Sequence, residues 1–258
     1  VTEARNIGPY LVEGGDSFVL SRSSPLCDVP PLYFGNKATD GGNLILTQIE
    51  RDELLDDEPF AKLFIRPYLS AEEFLNGRPR YCIWLEGRSP EEWRKIAGIA
   101  ARVKAVREFR MRSKKAKTRE DANAPSVFAE IRQPRRPFLA GPKTSSERRA
   151  YIPIAFLDPK TIVASELYFC EGAEIFHFGV MSSAMHMAWV RQVCGRLKSD
   201  YRYSNKLVYN NFPWPQDVSD AKRAAVEEAS QGVLAAREAH PDATLADLYD
   251  PLSMPADL

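Results

Sequence analysis

The segment Lys143-Thr-Ser-Ser-Glu-Arg-Arg149 holds the side chains best suited to reading a polar ligand. Arg148 or Arg149 can place two parallel N–H donors on guanine O6 and N7, and Glu147 can accept from the cytosine amino group. Ser145 and Ser146 can meet bases or phosphates. The segment closes a longer cationic stretch: residues 101–150 carry 15 basic and 5 acidic side chains, while the whole chain has 35 of each. The charge is one-signed, so pairing between residues four apart on a helix cannot neutralise it. Arg107, Arg110, Lys114, Lys115, Lys117, Arg135, Arg136, Lys143 and Arg148 are therefore the expected contacts to a phosphate backbone. Such contacts set affinity and leave sequence unread.

Catalytic signatures fail. The sequence has no phosphate-cradling G-x-x-x-x-G-K-[ST] loop, no G-x-G-x-x-G and no G-x-S-x-G elbow. Its three histidines, His177, His186 and His240, lack helical metal-pair spacing and read as structural. Asp121 with Glu130-Ile-Arg132 loosely imitates the acid, acid, lysine set that holds Mg2+ in some nucleases, but a permanently protonated arginine stands in the lysine position. A Mg2+-dependent nuclease built on Asp121 and Glu130 is thus the weaker alternative, beside a protein-interaction scaffold with a basic face. Cys27, Cys82, Cys170 and Cys194 form no C-x-x-C pair, which fits free, mostly buried thiols and a cytoplasmic protein. No apolar run reaches the length of a membrane span.

The elements that must position these residues follow from hydrophobic period. Pro9–Val12 and Ser17–Leu20 flank Gly14-Gly15-Asp16, a hairpin signal, and Asn43–Leu46 reads as a buried strand. Residues 47–77 read as helical, with Ser70-x-x-Glu73 as a capping box, and Tyr81–Leu85 as a strand. Ser89-Pro-Glu-Glu92 starts a helix whose stripe Trp93, Ile96, Ile99, Val103, Val106 and Phe109 turns inward, leaving the cations outside. Val127–Ile131, Ala150–Phe156, Thr161–Ala164 and Leu167–Cys170 read as strands. Phe178, Met181, Met185, Ala188, Trp189 and Val193 fit one face of a long helix ending near Gly195. Asn210-Asn-Phe-Pro-Trp-Pro215 is a rigid connector, followed by an Ala/Glu-rich helix over roughly Ser219 to Ala239. The expected fold is α+β: central mixed, mostly antiparallel strands flanked by helices, with a small C-terminal helical extension. The expected division is a domain over 1–214 and a helical region over 215–258.

Five stretches carry a family resemblance: Ser145-Ser-Glu-Arg-Arg-Ala-Tyr-Ile-Pro-Ile-Ala-Phe156, His177-Phe-Gly-Val-Met-Ser-Ser-Ala-Met-His-Met-Ala-Trp189, Gly195-Arg-Leu-Lys-Ser-Asp-Tyr-Arg-Tyr-Ser204, Tyr209-Asn-Asn-Phe-Pro-Trp-Pro215 and Leu245-Ala-Asp-Leu-Tyr-Asp-Pro251. Together they resemble the target-recognition region, and the start of the C-terminal helical domain, of MmeI-like restriction–modification proteins. Those proteins join a nuclease, an adenine-N6 DNA methyltransferase and a target-recognition domain in one chain. The resemblance implies that this piece grips double-stranded DNA and selects the target, with no catalytic residue, metal or cofactor of its own. S-adenosylmethionine and Mg2+ would serve the methyltransferase and nuclease parts lying N-terminal to Val1. It places base readout near Arg112 and Ser113 and near Ser145, Glu147 and Arg149. The start at Val1 and the short tail are expected to mark a piece of a longer protein. Within Tyr201-Arg-Tyr203, stacking on nucleic acid competes with packing; Arg196 and Lys198 are further phosphate candidates.

Overall fold

A computed structural model describes residues 18–258. The hairpin expected around Gly14-Gly15-Asp16 lies outside the described residues. The fold is mixed α+β, with mostly antiparallel strands flanked by helices and a helix near the C-terminus. Its described residues form two compact units, one of Phe34–Phe138 with Leu157–Phe169, the other of the residues up to Tyr33 with Leu139–Phe156 and Cys170–Leu258.

In the unit holding the basic helix, a sheet runs in the order Ile45–Leu46, Tyr81–Ile83, Ile65–Leu69, Ile162–Val163. The last pair is parallel, Tyr68 opposite Ile162, and the others are antiparallel. Leu44, Leu46, Ile83, Ile99 and Val106 are fully buried in its core. Residues 47–77 are only partly helical. The Gln48–Asp57 helix gives way to a 3-10 turn at Pro59–Phe64 and then to the strand Ile65–Leu69. Helical propensity lost there to sheet pairing on both edges, a tertiary effect absent from local sequence. The Ser70 box forms as expected: Ser70 N–H donates to the Glu73 carboxylate at 2.8 Å, and the helix Ala71–Asn76 ends at left-handed Gly77. Val127–Ile131 is no strand; only Glu130 bridges Lys37.

The helix expected from Ser89 is two helices, Pro90–Trp93 and Ala97–Met111, broken at Arg94–Ile96. Ile96 has no capping side chain, so the second helix borrows its cap: Glu58 accepts from the Ala97 and Gly98 N–H groups at 2.5 and 2.6 Å. A carboxylate there also opposes the positive end of the helix dipole. Trp93, Ile96, Ile99, Val103 and Val106 are buried, as their spacing predicts. Phe109 is not: it is 45% exposed, and its ring lies where a β-carbon on Gly41 would come within 2.7 Å. The inward position of that last turn belongs to Arg110, 1% exposed.

In the other unit a three-stranded sheet runs Gly195–Leu197, Asp200–Arg202, Thr144–Ser145. Phe138–Pro142, buried throughout, was not legible as a strand because Gly141 and Pro142 end its apolar run. Ala150–Phe156 is mostly irregular, although Ile152 and Ile154 are buried as a strand there would have them. The long helix is likewise broken, into Ile175–Met181 and Ala184–Val193. Ser183 makes the break: its hydroxyl donates to Val180 O at 2.7 Å and accepts from His186 N–H at 3.1 Å, capping the second helix. The break rotates the second helix's apolar face, so Met187 and Val190 are buried and Met185 is 69% exposed. Gly179 lets the Asp220–Glu238 helix pack closely, since a β-carbon there would overlap the Ser230 hydroxyl. Arg237 on that helix donates to Ile154 O at 2.7 Å.

Candidate nucleic-acid interface

The cationic stretch separates by partner once folded. Arg110 gives every N–H of its guanidinium to a backbone carbonyl. Nε donates to Thr39 O at 3.0 Å, Nη1 to Asp121 O and Ala124 O at 2.9 Å each, and Nη2 to Ala38 O at 2.9 Å and Val127 O at 2.8 Å. Burial pulls its pKa down, against the fields of Asp121 and Asp40. A side chain enclosed in this way cannot reach a phosphate, so the expectation that Arg110 contacts the DNA backbone is corrected: it ties the end of the Ala97–Met111 helix to the 121–127 segment.

Beyond that anchor the helix end is open. Arg112 is exposed and 4.0 Å from Glu108, a loose surface pair. Ser113 is half-buried, its hydroxyl accepting from Lys115 N–H at 3.2 Å. Arg107, Lys114 and Lys115 are exposed. Lys117 is exposed but paired with Asp121 at 3.0 Å and Glu120 at 3.4 Å, and those carboxylates hold its pKa up. Arg119 folds back onto the carbonyls of Ser113 and Lys114 at 2.9 and 3.0 Å, shaping the turn that displays the two lysines. Arg135 and Arg136 are exposed on the arm that follows.

The second set lies on the other unit. Glu147 and Arg148 are exposed, and Lys143 is half-buried. Ser145 is 2% exposed, which corrects its expected part in base contact: strand pairing with Tyr201 turns its side chain inward. Arg149 is half-buried, with Nη1 3.4 Å from the Ser145 hydroxyl and Nε buried without a partner among the described residues. Burial lowers its pKa, while the fields of Asp250 and Asp200 oppose that. Asp200 was missed at the level of sequence. Its carboxylate accepts from Glu147 N–H at 3.4 Å, holding the turn that displays Glu147, a role that only strand pairing could reveal.

The remaining candidates have structural partners. Asp121 faces Lys117, and Glu130 pairs with Arg132 and, at 3.7 Å, with Lys37. Among the described residues no group of three or more histidine, cysteine or acidic side chains could hold a metal ion. His186 is buried, with Nε2 2.9 Å from Tyr203 Oη, and burial drives its pKa down to about 3. His177 caps a helix, its Nδ1 accepting from Glu174 N–H at 3.0 Å. The cysteines are free, and Cys82, Cys170 and Cys194 are buried. No helix among the described residues is long and apolar enough to cross a membrane.

On one unit a helix end displays arginines and lysines, and on the other a sheet-anchored turn displays an acid and an arginine; each by itself carries side chains suited to a nucleic acid. Comparison with known proteins makes the class specific. The chain belongs to the MmeI target recognition domain family, whose model matches residues 13–216; the model of the MmeI C-terminal domain matches residues 218–258. It is 37% identical over 253 residues to DNA methyltransferase A of Bacillus subtilis (strain 168), covering 98% of this chain and 29% of that protein. It is 42% identical, with a TM-score of 0.96, to the Type IIL restriction–modification enzyme MmeI solved in complex with DNA. That likeness covers 99% of this chain and 34% of MmeI, so the chain spans about a third of the length of these relatives.

Proposed function

We propose that this chain is the sequence-specific double-stranded DNA recognition module of a restriction–modification DNA methyltransferase. It directs adenine-N6 methylation, and cleavage, by catalytic parts of a longer protein. The observation that carries this reading is the likeness over 99% of the chain to an enzyme solved with DNA. Within this division of labour the chain binds and orients the duplex, and the methyltransferase and nuclease parts are its partners. S-adenosylmethionine and Mg2+ serve those parts. Asp121 and Glu130, the pair considered for Mg2+, are a poor fit to it, because their carboxylates are each engaged by cations. The reading places the protein's work in the cytoplasm.

Arg107, Lys114, Lys115, Arg135, Arg136 and Arg148 contact phosphates in this reading, with Lys143 and Lys117 beside them, Lys117 at the cost of its carboxylate partners. Arg112 and Ser113 on one unit, and Glu147 and Arg149 on the other, face base edges. The test is selection of duplexes from a random library by the purified chain, at two or more salt concentrations. A shared motif should emerge, and affinity should fall steeply as salt rises. Binding without a motif, or binding insensitive to salt, refutes the reading.

A further inference from the structure

Resting on that reading, we infer that a second base-reading element lies in the Gly195–Arg202 hairpin. Its register fixes which side chains share a face. Gly195 pairs with Arg202, Arg196 with Tyr201 and Leu197 with Asp200, and across the other edge Tyr201 pairs with Ser145 and Arg202 with Thr144. Directly opposed residues in antiparallel strands point to the same side, and side chains alternate along a strand. Arg196, Tyr201 and Ser145 therefore share one face, and Tyr201 and Ser145 show it to be the inner one, at 4% and 2% exposed. The Arg196 guanidinium lies 4.0 Å from the Tyr201 ring centre and donates to Ser199 O at 3.1 Å. Leu197, Asp200, Arg202 and Thr144 take the opposite face.

That outer face is built around Arg202. Its side chain is exposed, and its guanidinium has no partner among the described residues. The strand neighbour on one side is Gly195, where even an added β-carbon would meet nothing within 4 Å. On the other side is Thr144, a hydroxyl and a methyl. The same face carries Asp200, which holds the Glu147 N–H, so Arg202 and the Glu147 turn are joined through one short strand. Leu197 is 52% exposed at the hairpin end, and Lys198 heads the two-residue turn with a φ of +57°. At Arg202 the hairpin is joined by Thr144–Ser145 into a three-stranded sheet, and an arginine fork presented from the outer face of that sheet matches guanine O6 and N7 in the major groove.

The outer face of this sheet lies against the DNA major groove, with Arg202 as a specificity-determining residue and Thr144 beside it. Ser145 is the inward-facing support. Lys198 at the turn contacts phosphate.

Library selection by the wild-type chain, Arg202→Lys and Arg202→Ala tests this. Lysine keeps the charge but loses the fork, so Arg202→Lys should bind random duplex within about threefold of wild type. It should lose about tenfold or more of the preference at one base pair of the selected motif, the scale of one bidentate contact. Arg202→Ala should lose the same preference and also reduce binding to random duplex. An unchanged motif in both variants overturns the inference, and so does a loss spread evenly over all sequences, which marks a phosphate contact. A wild-type chain that selects no motif fails at the earlier step and refutes DNA reading itself.

Discussion

Arg110 and Arg149 belong to the same cationic stretch of sequence and meet opposite surroundings. Arg110 is enclosed, with all five N–H groups on carbonyls. Arg149 is half-buried beside a sheet, with one weak bond to Ser145 and an Nε that no described residue satisfies. A guanidinium removed from water is tolerable only where its donors find acceptors, so the first site holds structure together. The second retains donor capacity for a ligand. Equal charge in the sequence therefore conceals two kinds of work.

The largest effect should come from Arg110→Ala, which leaves five carbonyls short of a donor and should cost about 3–5 kcal/mol of stability. Urea unfolding measures it. A loss below about 1 kcal/mol would erase the contrast with Arg149, whose truncation should barely move the unfolding midpoint.

Next is a pH effect on the unit that holds Arg149. His186 has a folded pKa of about 3, below the ordinary value of 6.5, so the unfolded chain takes up a proton that the fold refuses. Its contribution is complete above pH 6.5 and is lost as pH falls toward 3, at about 1.4 kcal/mol per pH unit. Unfolding followed at pH 7 and pH 5 should therefore differ by about 2 kcal/mol from this group. His186→Gln should flatten the slope, while Arg110 imposes no comparable dependence in this range. An unchanged slope in the variant would remove His186 as its source.

Arg149→Ala should cost about 1–3 kcal/mol of discrimination at one base pair while stability holds. Competition between selected and random duplexes reads this out. The smallest effect belongs to Lys114→Ala at the exposed helix end. It should weaken binding to every sequence alike and reduce the salt slope by about 1. If Lys114→Ala instead changed base preference, the division between positioning cations and reading residues would be wrong.

Much of this architecture is legible in the sequence because it follows from local period and caps. The Trp93 to Val106 stripe and the Ser70–Glu73 box appear where spacing puts them. What failed to show locally was decided by partners distant in the chain. Ile65–Leu69 became a strand through Tyr81–Ile83 and Ile162–Val163, and the Ala97 helix start depends on Glu58, 39 residues earlier. At the candidate interface, Glu147 and Arg148 are exposed as expected, whereas Ser145 and Arg110 are buried.

By itself, the sequence determined the concentration of positive charge in residues 101–150, the α+β alternation of periods and the stretches that reveal the family. Composition and periodicity are properties of neighbouring residues, and no folding is needed to read them. Only the tertiary structure decided which cations face outward. Five carbonyls converging from two segments enclosed Arg110, and a strand register with a period of two turned Ser145 inward and Arg202 outward. Both outcomes depend on where distant backbone lies, and no local pattern encodes that.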